Sequence, residues 1–157
     1  MPTLLDILEP EAILLDVRAT TAEEVIRLLA ARLETLGYVK TTYADAVVSR
    51  EKNLPTGLPL ERDENVAVPH TDPEHVIKAG VAMATLSTPV VFANMEEPEE
   101  LLPVGTVFLL AINDKDKQIE TLQQIIEAIQ SPTTLDGLKR AKTLHDVRVL
   151  LGSPKES

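Results

Sequence analysis

The sequence predicts an α/β domain in which helices cover both faces of a sheet. Stretches with strand character alternate along the chain with stretches of helical periodicity. Several predicted strands are apolar at nearly every position, which is typical of strands buried on both faces. The chain of 157 residues has the length of one domain, which we assign to residues 1–157.

Strand and helix signals can be placed in order through the first third of the chain. An apolar, β-branched run over 13–17 predicts the first strand, and the clearest helix follows it. Two overlapping capping boxes fit the start of this helix: Thr20 with Glu23, and Thr21 with Glu24. Its apolar stripe consists of Val25, Leu29, Leu33 and Leu36, and Gly37 follows its end. A second helix is expected over 43–50, with Arg50 at or just past its end.

The remaining elements follow from apolar runs and from glycine and proline punctuation. We expect a loop over 54–59, a buried strand over 66–68 and a strand over 77–86 that turns at Thr88-Pro89 into a partner strand over 90–92. The run 104–112 predicts a strand covered on both faces. A helix then follows with Ile119, Leu122, Ile126 and Ile129 on one stripe, and two short helices follow it.

Composition and charge exclude several classes of function. The formal net charge is −10, which argues against nucleic-acid binding, because that binding depends on cations that neutralise phosphates. The chain has no cysteine, so disulfides and a cysteine nucleophile are excluded. No apolar run reaches the roughly 20 residues of a membrane span. The N-terminus shows no signal-peptide pattern, and we therefore expect a cytoplasmic protein without direct membrane insertion.

His70 is the strongest candidate for chemistry. Pro69 ends the strand over 66–68, so the next side chain lies on a loop held by the core. A neutral imidazole is an accepted covalent catalyst near neutral pH, although a histidine that is only hydrogen-bonded at a strand end is an equally simple interpretation. Arg50 would offer a permanent cation, and the Thr56 hydroxyl and nearby N–H groups would hold an oxyanion. Together these residues describe a site that accepts a phosphoryl group.

A metal site built from His70, Asp72 and His75 is the tempting alternative. The spacing matches no standard zinc signature and no further ligand is evident, so we expect neither a metal nor a cofactor. A supporting role for His75 beside His70 is the better interpretation. His145 is expected to be solvated.

The order of these motifs resembles the fructose–mannitol type of enzyme IIA in the bacterial sugar phosphotransferase system. Arg50-Glu51 is followed by Thr56-Gly57 and then by a strand ending in Ala67-Val68-Pro69-His70. The resemblance extends over nearly the whole chain and implies a mixed sheet flanked by helices. It also implies that His70 is the phosphoryl acceptor, with its tele nitrogen as the candidate atom.

The same resemblance implies the partners of such a protein. His70 would take its phosphoryl group from the histidine phosphocarrier protein HPr and pass it to a cysteine of a IIB component. A membrane IIC permease would be served only indirectly. A regulatory module, whose phosphorylation state controls a partner protein, remains the alternative. Neighbouring genes for IIB and IIC would favour transport.

One position departs from the pattern of the family. Many mannitol- and fructose-type members carry a second histidine where this chain has Gln118. The resemblance therefore leaves open whether Gln118 or His75 takes over the supporting role. The Pro55-Thr56-Gly57-Leu58 run, the histidine five residues after His70 and the glutamine are closer to the galactitol-type branch.

Overall fold

A mixed sheet organises the chain, as predicted. The structure is a computed structural model that describes residues 4–60 and 62–152. Within these residues the strands are β1 (Leu8–Val17), β2 (Gly57–Leu58), β3 (Asn65–Ala67), β4 (Gly80–Ala93) and β5 (Leu101–Ala111). Their order across the sheet is β1-β4-β5-β3-β2. The pairs β1–β4 and β3–β5 are parallel, whereas β4–β5 and β2–β3 are antiparallel.

Helices cover both faces of this sheet, which confirms the predicted fold class. The helices of the described residues are α1 (Leu4–Ile7), α2 (Ala22–Thr35), α3 (Tyr43–Asn53), α4 (Lys115–Ile129), α5 (Pro132–Arg140) and α6 (Leu144–Gly152). Side chains of α2 and α3 form the core on one face, and side chains of α1, α4, α5 and α6 form the core on the other. Within the described part of the chain, no helix combines the length and the apolar character that crossing a bilayer requires.

The alternation of side chains along β4 separates the two cores. Ala82, Ala84 and Leu86 pack on the side of α2 and α3, whereas Val81 and Met83 pack on the opposite side. This is the period-two pattern expected of a strand that is buried on both faces. The alternation therefore places these residues in two cores on opposite sides of the sheet.

Helix α2 has both of its predicted end signals. The Thr21 hydroxyl accepts a hydrogen bond from the Glu24 N–H at 3.1 Å, and the Glu24 carboxylate accepts one from the Thr20 N–H at 2.8 Å. The Thr21 hydroxyl thus satisfies one N–H of the first turn, and Glu24 satisfies the N–H of the residue before the cap. The predicted pairing of Thr20 with Glu23 was wrong, since Glu23 accepts a hydrogen bond from Arg27 at 2.8 Å instead. Gly37 follows the helix with a φ of +86°, a left-handed conformation that favours glycine.

Strand β4 differs from its prediction, which was two strands joined by a turn at Thr88-Pro89. The structure has one strand that continues through this dipeptide. Its pairing with β5 shifts register between Thr85 and Val90, so the strand bulges there instead of turning. Proline is tolerated at a bulge because the ladder hydrogen bond is already missing.

The predicted apolar stripe of α4 was also partly wrong. Ile125 and Ile129 are buried together with Thr121, whereas Ile119 is 58% exposed. Leu122 and Ile126 are half-buried at the edge of the contact. The inner face of α4 is thus centred on Thr121, Ile125 and Ile129, about one residue around the helix from the predicted stripe.

A two-residue strand lies inside the segment that was predicted to be only a loop. Gly57 pairs with Ala67, and Leu58 pairs with Val66. Glycine is required at position 57, since a Cβ there would lie 2.5 Å from the Ala93 carbonyl oxygen. The pairing of Gly57 with Ala67 brings the loop over 54–57 against the end of β3, which His70 follows.

We expect Leu29→Ala to lower the free energy of unfolding by about 2–5 kcal/mol, because the Leu29 side chain is fully buried between α2 and the sheet. Leu28→Ala is the matched control. Leu28 is the preceding residue of the same helix and is 42% exposed, so we expect a change of about 0.5 kcal/mol or less. Urea unfolding would measure both values, and similar losses in the two variants would contradict the assigned face of α2.

Candidate functional site

His70 lies just beyond the end of β3, on a short segment that the core holds in place. Val68 and Pro69 are buried, and the Pro69 carbonyl accepts a hydrogen bond from the Leu110 N–H at 3.0 Å. The backbone before His70 is therefore tied to β5. The His70 side chain itself is half-buried, so its ring is neither sealed in the core nor fully solvated.

The His70 ring is oriented by its own backbone. Its Nδ1 lies 2.8 Å from the Val68 carbonyl oxygen. A carbonyl oxygen can only accept a hydrogen bond, so Nδ1 carries the proton and Nε2 keeps its lone pair. The structure thus presents Nε2, the tele nitrogen, as the nucleophilic atom of a neutral imidazole.

Burial lowers the pKa of His70 below its ordinary value of 6.5. The hydrogen bond to Val68 acts in the opposite direction, the Arg50 cation lowers the pKa further and the Asp72 carboxylate raises it. The loss of solvation outweighs the rest, because an imidazolium is costly where water is partly excluded. His70 is therefore uncharged at neutral pH.

Arg50 lies in the last turn of α3, which continues to Asn53, so its predicted position at or past the helix end was wrong. Its guanidinium Nη1 lies 3.7 Å from Asp72 Oδ1, and the side chain is 34% exposed. The Arg50 Nε is buried and has no hydrogen-bond partner within the part of the chain that the structure describes. An unsatisfied buried donor is unfavourable unless a ligand atom completes it.

Thr56 is buried, and both of its donors are engaged by Glu51. The Thr56 N–H donates to Glu51 Oε2 at 2.9 Å, and its hydroxyl donates to Glu51 Oε1 at 2.8 Å. The Thr56 carbonyl in turn accepts from the Val68 N–H at 3.2 Å. Thr56 is thus next to the His70 segment, as predicted, but its hydroxyl proton is directed at Glu51.

Glu51 also belongs to this site, although no role of its own was predicted for it from the sequence. Burial raises its pKa to about 7, and the two hydrogen bonds from Thr56 lower it by less. Its only sequence signals are its place beside Arg50 and its spacing of five residues from Thr56. A spacing of five residues predicts no particular contact here, because Glu51 lies at a helix end and Thr56 lies in the loop that follows.

The structure also places Gln118 at the His70 segment. Asp114 caps α4 by accepting hydrogen bonds from the N–H groups of Asp116 and Lys117. In the first turn, the Gln118 Nε2 donates to the Thr71 carbonyl at 3.2 Å. The amide therefore holds the backbone that follows His70.

The His75 side chain contacts the start of α3. Its Nδ1 is 2.8 Å from the Thr42 hydroxyl, at the opposite end of α3 from Arg50. Its Nε2 lies 3.6 Å from the Glu74 carboxylate. The structure therefore brings Arg50, Thr56 and Gln118 to the His70 segment but turns the His75 ring toward α3.

Among the described residues, no three histidine, aspartate or glutamate side chains are grouped as metal ligands. His145 is exposed, as predicted.

The fold that carries the His70 site is also the fold of several solved structures. One of these is the complex of enzyme IIA and phosphorylated enzyme IIB for mannitol from Escherichia coli. The IIA-like chain matches with a TM-score of 0.75 and 28% identity, over 94% of this chain and 98% of that chain. The fold is that of a IIA component.

The family follows from the sequence match. Residues 6–153 match the family described as "Phosphoenolpyruvate-dependent sugar phosphotransferase system, EIIA 2", and the chain belongs to this family of phosphotransferase components. The resemblance inferred from the motifs is thereby confirmed.

Curated relatives differ in the sugar that their names specify. The mannitol-specific EIICBA component of Vibrio cholerae serotype O1 is 32% identical over 93% of this chain, and the 2-O-alpha-mannosyl-D-glycerate-specific EIIABC component of Escherichia coli K12 is 34% identical over 90%. This chain spans only 22% of the length of each. The galactitol-specific EIIA component of Escherichia coli O6:H1 is 24% identical over 73% of this chain and 75% of its own length.

We expect NMR of the imidazole nitrogens to show His70 protonated at Nδ1 at neutral pH, with a pKa below 6.5. Because the unfolded chain binds this proton at about 6.5, the stability that the neutral ring contributes is present in full above pH 6.5. It decreases as the pH falls from 6.5 toward the folded pKa. The difference in urea midpoint between the wild type and His70→Asn should follow this pH dependence, and an Nε2-protonated ring would contradict the assigned tautomer.

Proposed function

We propose that this chain is a cytoplasmic phosphocarrier in which His70 Nε2 accepts a phosphoryl group from the histidine phosphocarrier protein HPr. It then passes the group to a cysteine of a IIB component, which serves a membrane IIC permease. The observation that carries this proposal is the Nδ1–H hydrogen bond to Val68, because it leaves Nε2 with the lone pair that attacks phosphorus.

The proposed transfer needs only a nucleophile and a means of holding charge. The Nε2 lone pair forms the new N–P bond while the N–P bond of the donor phosphohistidine breaks, and the electron pair of that bond returns to the donor imidazole. The positive charge that develops on the attacking His70 ring is stabilised through Nδ1–H and the Val68 carbonyl. In the second step, a thiolate attacks phosphorus and the pair of the N–P bond returns to His70 Nε2. No cofactor or metal is required, since positioning and electrostatics do most of the work in phosphoryl transfer.

Arg50 supplies the cation in this proposal. Its buried Nε has no acceptor among the described residues, and the 3.7 Å between its Nη1 and Asp72 Oδ1 is too long for a strong hydrogen bond. A phosphoryl oxygen near His70 would give the guanidinium the acceptor that it lacks. A planar guanidinium suits phosphate because it presents several donors in one plane.

Thr56 and Gln118 take supporting parts. Since both Thr56 donors are engaged by Glu51, a direct hydrogen bond from the Thr56 hydroxyl to a phosphoryl oxygen would require the Glu51 contact to break. Thr56 therefore acts by holding Val68, and Gln118 acts by holding the Thr71 carbonyl. His75, turned toward Thr42, takes no direct part in the proposed transfer.

Exposed apolar side chains beside these residues support a docking surface for protein partners. Leu54, which lies two residues before Thr56, is 54% exposed, and Ile119, which follows Gln118, is 58% exposed. Burial of such apolar surface against a partner favours association. HPr and IIB would use this surface in turn, because each has to bring its own reacting group to the same nitrogen.

The class of protein does not by itself determine which sugar the proposed system transports. The glutamine at position 118 and the Pro-Thr-Gly-Leu run led us to propose the galactitol type. The 24% identity with a galactitol-specific component does not separate this from the mannitol and mannosylglycerate types. Phosphoryl transfer from this chain to the IIB components of each of the three types would decide among them.

We expect labelled phosphoenolpyruvate, with enzyme I and HPr of the phosphotransferase system, to place an acid-labile and base-stable label on the wild type. His70→Ala should take up no label, because the nucleophile is missing. His145→Ala is the matched control, since it removes an exposed histidine on α6, and it should be labelled like the wild type. Label retained by His70→Ala would contradict the proposal.

We expect Arg50→Ala to slow labelling of His70 by about 100-fold, the order of loss when one preorganised donor to the transition state is removed. Arg50→Lys should recover only part of the rate, because lysine keeps the charge without the planar donors. Arg148→Ala, at an exposed arginine of α6, should leave the rate unchanged. Equal rates for the wild type and Arg50→Ala, measured by rapid quench, would exclude a role for this cation.

A further inference from the structure

We propose that Glu51 is a positioning residue for phosphoryl transfer, because its carboxylate holds Thr56 and, through Thr56 and Val68, fixes the orientation of the His70 ring. This inference rests on the proposed carrier function of His70. It assigns to Glu51 a role that is separate from the charge provided by its neighbour Arg50.

The first step is the pair of hydrogen bonds by which Glu51 holds the loop over 54–56. Each carboxylate oxygen accepts one hydrogen bond from Thr56, at 2.9 Å from the N–H and at 2.8 Å from the hydroxyl. Glu51 lies in the last turn of α3, and the Leu54 N–H also donates to the Arg50 carbonyl at the end of that helix. The loop over 54–56 is therefore folded back onto the helix, and Thr56 has little freedom to move.

The second step carries this constraint to the histidine. The Val68 N–H donates to the Thr56 carbonyl at 3.2 Å, and the next residue, Gly57, pairs with Ala67 of β3. The Val68 carbonyl, on the other side of the same residue, accepts from His70 Nδ1–H at 2.8 Å. Three consecutive hydrogen-bonded contacts thus join Glu51 to the ring. A reacting atom held in this way needs little reorganisation before transfer.

The third step concerns why the residue is an acid. A carboxylate in a half-buried place loses solvation, which is why the pKa of Glu51 is raised to about 7. The ionised group can accept both bonds from Thr56, whereas the protonated group has one oxygen occupied by its own hydrogen. The charged side chains that share the adjoining cavity of about 290 Å³ with Glu51 are Glu23 of α2 and Lys52 of α3. Loss of the Glu51 charge would therefore loosen Thr56 without removing the side chain.

The test compares Glu51→Gln with the wild type in the full chain, using the same phosphoenolpyruvate labelling reaction. At pH 8 we expect His70 of the variant to be labelled about tenfold more slowly, with the label still acid-labile. The difference should become smaller as the pH falls below about 7, because the wild-type carboxyl then also carries a proton. Glu127→Gln, at an exposed acid on α4, should label at the wild-type rate at every pH.

Two further measurements separate positioning from a general loss of structure. NMR should show that the Nδ1 proton of His70 exchanges faster with solvent in Glu51→Gln than in the wild type. Thr56→Ser keeps the hydroxyl and should label at nearly the wild-type rate, whereas Thr56→Val loses it and should be slow. If Glu51→Gln does not fold, the comparison of these two threonine variants decides the question.

Glu51→Gln with the wild-type rate, pH dependence and exchange of the Nδ1 proton would overturn the proposal, as would equal rates for Thr56→Ser and Thr56→Val. Failure of the carrier function itself has a different signature, namely a wild-type protein that takes no label on His70. In that case, Nδ1 exchange in Glu51→Gln still shows whether Glu51 orients the ring.

Discussion

The hydrogen bond from His70 Nδ1–H to the Val68 carbonyl is the contact on which the proposed chemistry depends. It determines which ring nitrogen keeps a lone pair, and it can do so only because the Val68 carbonyl is itself fixed. Strand β3 lies between β2 and β5, and the Pro69 carbonyl accepts a hydrogen bond from the Leu110 N–H. The interior of the sheet therefore holds the acceptor, and the acceptor orients the ring.

Two opposing demands meet at this ring. Partial burial keeps the imidazole neutral, whereas the proposed transfer requires a partner protein to reach it. A half-buried position at the end of a strand meets both demands. The nearby Arg50 helps in both respects, because its charge disfavours the imidazolium before transfer and would attract the phosphoryl oxygens during it.

Supporting contacts reach the His70 segment from both helical layers of the domain. Glu51 and Arg50 come from α3 on one face of the sheet, whereas Gln118 comes from α4 on the other. Such an arrangement lets the loop residues on each side of His70 be held independently.

Residue patterns alone were enough to place two covered faces, the capped start of α2 and a histidine just past a strand end. These features follow from periodicity, from local capping geometry and from the missing N–H of Pro69, which act over a few neighbouring residues. The tautomer of His70, the contact between Glu51 and Thr56, the direction of His75 and the rotation of α4 depend on which elements pack together. The continuation of β4 through Pro89 is of the same kind, because pairing with β5 on both sides of the bulge outweighs the local turn signal. Contacts between residues distant in sequence decided these points.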